Sequence, residues 1–262
     1  MYVKIIYDMI NKKGLTMNEV IRQLYDRKSV RAFEDRPISE EDVHLILEAA
    51  TQAPTAGNQQ LYTILRITDQ GLLDRLSESC DHQPFIAKGK LVLIFCADCR
   101  KWYEAYISCK AEPRKPGAGD LMLAFADAVI AAQNAVVAAQ SLGIGSCYIG
   151  DILEQIEIHR DILKLPEYVM PAAMLVFGYP TEQQLKRVKP ARSDLEDMVF
   201  ENAYPEWTEQ RVIDLLKPKF PIGDLDDRIR AFCSRKYNSD FSREMTRSVE
   251  KYLEQYMDWD LS

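Results

Sequence analysis

The sequence predicts a globular fold of mixed helices and strands, with a central sheet backed by one long apolar helix. Three observations carry this. Leu91–Ala97 and Met170–Phe177 are continuous apolar runs of strand length, the pattern of strands buried on both faces. Residues 120–142 read as one long helix, apolar on most sides. Shorter segments with N-terminal capping residues and helical apolar spacing surround them. The bulk numbers agree: 262 residues, 47% hydrophobic and 28% charged, are enough for a sizeable core.

In chain order, Thr16-Met-Asn-Glu19 reads as a capping box opening a helix to about Tyr25. Residues 1–16 form an optional arm, and Met17 is a second candidate start. Residues 26–36 are charged and aperiodic, a loop with a functional surface. Ser39 caps a helix with acids in its first turn, and Val43, Ile46, Leu47 and Ala50 mark its buried face. Pro54 ends it and opens the turn-rich loop Pro54-Thr-Ala-Gly-Asn-Gln59. A strand at 61–68 and a helix at 70–80 follow, then the strand at 91–97. Gly143 and Gly145 stop the long helix. A short helix covers 152–163, and the strand at 170–177 ends on Gly178-Tyr-Pro180. Lys186, Arg187, Lys189 and Arg192 form a cationic stretch. The tail is punctuated by Pro205, Pro218 and Pro221, and Met245, Val249, Tyr252, Leu253 and Tyr256 define one face of a last helix.

Composition excludes several classes. With 33 basic and 40 acidic residues the formal net charge is −7, so no global nucleic-acid footprint exists and no nucleic-acid partner is expected. The 120–142 segment carries Asp127, Gln133, Asn134 and Gln140 and is Ala-rich, so it reads as a buried helix rather than a membrane span. No signal peptide is recognised, and a cytoplasmic protein is expected. Six cysteines in a chain this long are not a disulfide framework. Cys96-Ala-Asp-Cys99 has CxxC spacing without a second pair. Three histidines without paired spacing give no zinc site, and no GxSxG marks a hydrolase.

Four pieces carry polar chemistry: Arg27-Lys-Ser-Val-Arg31, Pro54 to Gln59, Gly143-Ile-Gly-Ser-Cys-Tyr-Ile-Gly150, and Lys189-Pro-Ala-Arg192. The first and last supply guanidinium, ammonium and hydroxyl groups, which hold phosphates. The second supplies amides beside a tight turn. The third supplies glycines where a backbone can approach a flat ligand. Together they suit an anionic, partly aromatic cofactor.

The order of these blocks resembles the nitroreductase family of FMN-dependent oxidoreductases. The resemblance spans about Met17 to Asn202. It rests on Arg27-x-Ser-x-Arg31 with Phe33, Ala49-Ala-x-x-Ala-Pro54 with Asn58-Gln59, and Gln83-Pro84 leading into Leu91–Asp98. It continues through Asp127-x-x-x-Ala-Ala-Gln-Asn134, Gly143 to Gly150, and Gly178-Tyr-Pro180. It implies an α+β fold with a mixed, mostly antiparallel sheet flanked by helices, and an intertwined homodimer. FMN would be bound and NADH or NADPH would be a transient donor. The implied organisation is an N-terminal arm (1–16), an FMN-binding domain (17–202) and a C-terminal helical extension (203–262) on the core or the partner subunit.

Carried over, Arg27 and Ser29 would hold the FMN phosphate or ribityl chain, with Lys28 offering backbone or charge. Arg31 would sit near the pyrimidine side of the flavin. Pro54, Thr55, Ala56 and Asn58 would come from the other subunit. Gln83 would touch the chain or ring, Tyr148, Ile149 and Gly150 would border the ring, and Lys189 and Arg192 would close on the phosphate. Lys186 or Arg187 could take the role of Lys189. No catalytic acid or base and no metal ligand is implied. The expected reaction is hydride transfer from NAD(P)H through flavin N5 to a nitroaromatic or quinone. Dehalogenation, flavin fragmentation, or redox sensing through Cys96 and Cys99 are the alternatives.

Overall fold

The computed structural model describes residues 18–257. They divide into two compact units, one of residues 18–187 with 244–257 and one of residues 188–243. The sequence boundary after Asn202 falls inside the second unit, and the end of the last helix belongs to the first.

The larger unit is built on a four-stranded sheet: β1 (Tyr62–Ile67), β2 (Leu91–Asp98), β3 (Gly145–Ile149) and β4 (Val169–Gly178), in the order β1-β2-β4-β3. Every ladder between these strands is antiparallel. The two continuous apolar runs thus take the two central places, where both faces are covered. β3 replaces an expectation, since the glycine-rich segment after the long helix is an edge strand and not only a helix stop. β2 and β4 slip register between Phe95 and Cys96, opposite Ala173 and Pro171. The bulge falls where Pro171 has no N–H to donate.

Helices cover both faces of the sheet. On one face, α2 (Glu40–Thr51) and the long α5 (Ala118–Ser141) pack on Leu91, Leu93, Phe95 and Ala97. On the other, α3 (Gln70–Ser79) and α6 (Ile156–Leu163) pack around Val92, Ile94 and Cys96. α5 is long and apolar enough to cross a membrane, but it lies against the sheet through Ala124, Ala128, Ala131, Ala132, Ala135 and Ala139. The small side chains let helix and sheet approach closely.

α1 (Glu19–Asp26) opens on Asn18, whose side chain accepts from the Ile21 N–H at 2.9 Å. This corrects the expected Thr16 cap. Thr16, Met17 and the N-terminal arm lie outside the described residues. Ser39 caps α2 as expected, accepting from Asp42 N–H at 3.1 Å. α4 (Arg100–Ser108) was not foreseen. After β4 comes the short α7 (Glu182–Lys186).

In the second unit, α8 (Glu209–Leu216) and α9 (Leu225–Lys236) are joined by a turn. Its packing is aromatic: Phe200 meets Trp207 edge-on at 5.8 Å, and the Arg211 guanidinium lies over both rings. α10 (Asp240–Leu253) begins here, and its last turns return to the larger unit, where Tyr252 and Tyr256 are fully buried. Ser248 accepts from the Ile156 N–H at 3.0 Å, and Arg247 pairs with Glu157 at 2.9 Å. These contacts fix the C-terminal part of α10 to α6.

Two glycines make room for the segment after α1. A Cβ at Gly145 would lie 2.6 Å from the Val30 side chain, and one at Gly178 would lie 2.7 Å from the Phe33 ring. This corrects the expectation that Gly145 lets a flat ligand approach. Its missing side chain admits Val30 instead. Gly178→Ala should therefore cost about 1–3 kcal/mol through overpacking. A lowered urea midpoint with unchanged slope is the expected outcome, and an unchanged midpoint would refute the packing role.

One buried carboxyl works against the fold at alkaline pH. Glu154 is 5% exposed, and its Oε1 has no partner among the described residues. Burial, with Asp151, Asp81 and Glu244 nearby, pushes its pKa up from 4.5 to about 7. The folded state thus holds a proton that the unfolded chain releases. That stabilisation is complete below about pH 4.5 and is lost as pH rises through about 7. Glu154→Gln should raise stability at pH 8 by about 1–3 kcal/mol and change little at pH 4.5. Thermal melts at the two pH values check this, and equal shifts at both would contradict it.

Candidate functional site

Apart from Lys189 and Arg192, the expected site residues fall into three groups in the larger unit. The first is residues 27–34, an extended segment clamped along one edge of the sheet. Val30 N–H donates to Ser146 O at 2.9 Å, and Ser29 forms an isolated parallel bridge with Ser146. Glu34 N–H donates to Tyr179 O at 2.8 Å. From α7, Gln184 Oε1 accepts from Arg31 N–H at 3.3 Å. This segment explains why a charged, aperiodic stretch is nonetheless ordered: it is a partial fifth strand seated beside β3.

The clamp distributes the cations unequally. The Lys28 ammonium donates to the carbonyls of Leu185, at 2.7 Å, and Arg187 at the end of α7. Those are unsatisfied helix-end acceptors, so the Lys28 charge is used internally. Arg187 donates to Ser29 O at 2.6 Å. Arg27 differs. Its Nη1 is buried and has no hydrogen-bond partner among the described residues. Arg27 and Arg31 both lie close enough to the Cys147 thiol to lower its pKa against the larger effect of burial, which raises it. The positive charge of Arg27 also reaches Tyr148, whose hydroxyl is nevertheless pushed up to about 12 by burial. Arg27, Ser29, Arg31 and Tyr148 are therefore brought together around β3, with Arg187 beside them. A buried, unpaired guanidinium nitrogen beside two further arginines fits an anionic group such as a phosphate.

The second group is the loop at residues 54–61, and it hangs on Asp127. This residue is 3% exposed, on the sheet-facing side of α5. Its Oδ1 accepts from Ala56 N–H at 3.0 Å, and its Oδ2 accepts from Leu61 N–H at 3.2 Å and from the Thr55 hydroxyl. Thr55 Oγ1 in turn accepts from Gln60 N–H at 2.7 Å. Gly57, Asn58 and Gln60 all have positive φ, at 57°, 56° and 49°. The loop is thus tightly coiled and its strain is held by the carboxylate. Pro54, Thr55, Ala56 and Asn58 form one preset surface. α4 holds the other side: Trp102 Nε1 donates to Gln59 O at 2.8 Å, and Lys101 Nζ donates to Tyr62 O at 2.7 Å.

The third group is Gln83. Its amide nitrogen donates to Cys80 O and to Asp151 Oδ2, both at 2.9 Å, so Asp151 serves as an acceptor here. Ile149 is buried, and Gly150 is followed at once by a turn of 3-10 helix. Nothing lies within 4 Å of the place a Gly150 Cβ would occupy, so space is open beside this end of β3. Lys189 and Arg192 belong to the second unit.

Sequence reasoning assigned no role to Asp127, Trp102 or Lys101, and it placed Arg187 only as an alternative to Lys189 at the phosphate, whereas the structure ties it to Ser29 O. Asp127 had a readable signal, as the lone acid in the apolar stretch after Asp120. The others depend on α4 and α7, which no pattern announced. No group of three or more metal-ligating side chains occurs among the described residues.

The nitroreductase family model matches residues 24–179. An FMN reductase [NAD(P)H] of Bacillus subtilis is 28% identical over 91% of this chain and 92% of its own length. An oxygen-insensitive NADPH nitroreductase of Salmonella typhimurium is 32% identical over 74% of this chain and 78% of its own. The solved structure of Bacillus megaterium NfrA2 superposes with a TM-score of 0.76 at 28% identity, covering 90% of this chain and 98% of that one.

Proposed function

This chain belongs to the nitroreductase family, and on that premise we propose that it is an FMN-dependent oxidoreductase. It takes a hydride from NADH or NADPH and passes it to a small organic acceptor such as a nitroaromatic or a quinone. The observation that carries the reading is Arg27 Nη1, a buried cationic donor with no hydrogen-bond partner among the described residues. A cation left so in the folded chain is costly unless an anion completes it.

FMN, when bound, supplies a reversible two-electron carrier that accepts hydride at N5. The protein's own part is positioning and charge. Arg27 and Ser29 hold the phosphate or ribityl chain, with the backbone at Lys28, and Arg31 places a fixed cation near the pyrimidine side. Such a cation favours the negative charge of reduced flavin. Tyr148, Ile149 and Gly150 border the ring, and Gln83 supports that edge through Asp151. No side chain is required as an acid or base, because the second proton of acceptor reduction comes from solvent.

The loop Pro54, Thr55, Ala56 and Asn58 serves the site of a partner subunit in a homodimer. Supporting that assembly, α1 packs against α5, and the two helices expose Val20, Ile21, Leu24, Met122 and Ile130. An apolar surface of this kind is covered by a second copy in a C2 dimer. The cytoplasm, where reduced nicotinamide nucleotides circulate, is the setting this chemistry calls for.

Thiol sensing gains no support. Cys96 packs on one face of the sheet and Cys99 joins the core on the other. Burial pushes both thiols up to about 12, so neither is a ready thiolate.

A visible spectrum of the purified protein, then anaerobic titration with NADH and NADPH, tests the reading. Bound FMN bleached by at least one donor is expected, and a colourless protein that takes up no FMN would end it. Arg27→Ala should weaken FMN binding tenfold or more. The flavin-free variant should melt no lower than flavin-free wild type, because the substitution removes a buried guanidinium nitrogen that has no partner among the described residues. A lower melting temperature with unchanged FMN affinity would make Arg27 structural.

A further inference from the structure

Beside the 54–61 loop lies a cavity of about 320 Å³ lined by Gln59, Trp102, Tyr103, Tyr106, Pro113 and Arg114. We propose that it binds the ring of a neutral, electron-poor aromatic acceptor, and so selects which acceptors the enzyme reduces. This inference rests on the reading of the chain as a reductase of such acceptors. Its size falls at the lower end of small-ligand pockets, on the order of 300–1,000 Å³.

The walls are held in place before any ligand arrives. The Trp102 indole N–H is committed to Gln59 O at 2.8 Å. Gln59 Nε2 donates to the Tyr106 hydroxyl at 3.3 Å. The Trp102 and Tyr106 rings sit 5.6 Å apart and tilted by 41°. They are tilted rather than stacked face to face, and both line the cavity. Aromatic faces are electron-rich, and electron-poor rings are their complement. Because Tyr106 already accepts from Gln59, its own proton is directed at another acceptor, such as a nitro or carbonyl oxygen.

Charge sets the second preference. Arg114 is the cation at the cavity, and it is paired with Asp120 through two contacts of 2.6 and 3.0 Å. That pairing holds the Asp120 carboxyl below its ordinary range. The cavity is therefore neutral, and it offers a carboxylate or phosphate no uncommitted cation. This argues for the acceptor rather than the phosphate-bearing donor. Gln59 belongs to the loop that carries Asn58, so the cavity adjoins the surface proposed to face the flavin.

The test uses the holoenzyme with 4-nitrobenzyl alcohol and 4-nitrobenzoate, which differ in charge at the same reducible group, and with menadione. Tyr106→Ala and Trp102→Ala should raise KM for the alcohol and menadione tenfold or more, and Tyr106→Ala, which leaves the Trp102 brace on the cofactor loop in place, should change kcat and the rate of flavin reduction by nicotinamide less than twofold. Trp102→Phe loses the indole hydrogen bond but keeps a ring, and it should stay within threefold of wild-type KM. Asp120→Asn uncouples Arg114 and should lower KM for 4-nitrobenzoate at least fivefold. Calorimetric binding of 4-nitrobenzyl alcohol to wild type and Trp102→Ala judges the site without turnover, and equal affinity would overturn the proposal. A wild type that holds no FMN, or whose FMN no nicotinamide reduces, would instead defeat the functional reading and leave that binding comparison to decide the cavity.

Discussion

A single buried carboxylate, Asp127, sets the geometry on which much of the candidate site depends. It stands on a helix otherwise made of small apolar side chains and turns its two oxygens to Thr55, Ala56 and Leu61. Ionised carboxylates are rarely buried this fully unless donors complete them. Here the donors come from one loop, so the cost of burying the charge and the cost of coiling that loop offset each other. Three residues of the loop sit at positive φ, and the carboxylate holds that conformation from the core side while α4 braces it from the other. The loop then leads directly into β1, so the same contact places the loop and starts the sheet.

The arginine-bearing segment is fixed by a different device. It has too few apolar residues to bury itself, yet Val30 and Phe33 fit the gaps left at Gly145 and Gly178. Backbone contacts to Ser146 and Tyr179 then align it along the sheet. Lys28 and Arg187 are used up by carbonyls, and Arg27 is left with a nitrogen that has no partner among the described residues. The fold thus separates cations that hold the segment from a cation that waits for an anion. The aromatic helix α4 adds a third element, since it braces the Asp127 loop and also walls the adjacent cavity.

Much of the fold was legible in the sequence because the physics behind it is local. β2 and β4 announced themselves as unbroken apolar runs, and α5 as a long Ala-rich stretch closed by a glycine at positive φ, Gly143. The edge strand β3 was hidden because Gly145-Ser-Cys-Tyr-Ile has turn-like residues at its start, and only the tertiary pairing with β4 makes it a strand. α4 was hidden because its apolar residues are aromatics on a half-exposed surface, without a clean period. At the site, the family blocks identified the segments, but they could not say which cations are already spent. Lys28 and Arg27 are neighbours in sequence and have opposite fates, decided by α7, a helix 150 residues away in sequence. Glu154 carried no sequence signal at all, since the acids around it, Asp81, Asp151 and Glu244, are brought together only by the fold.

The account stands or falls on whether Asp127 presets the cofactor loop. Asp127→Asn keeps the shape and one acceptor oxygen but turns an amide N–H₂ toward groups that are themselves donors, so the loop loses one of its two acceptor oxygens. The measurement is the FMN dissociation constant of Asp127→Asn beside wild type, with circular dichroism confirming that helix content is retained. A constant raised tenfold or more in a folded protein is the predicted result. An FMN affinity within twofold of wild type would contradict it, and would show that the loop finds its conformation without the buried charge.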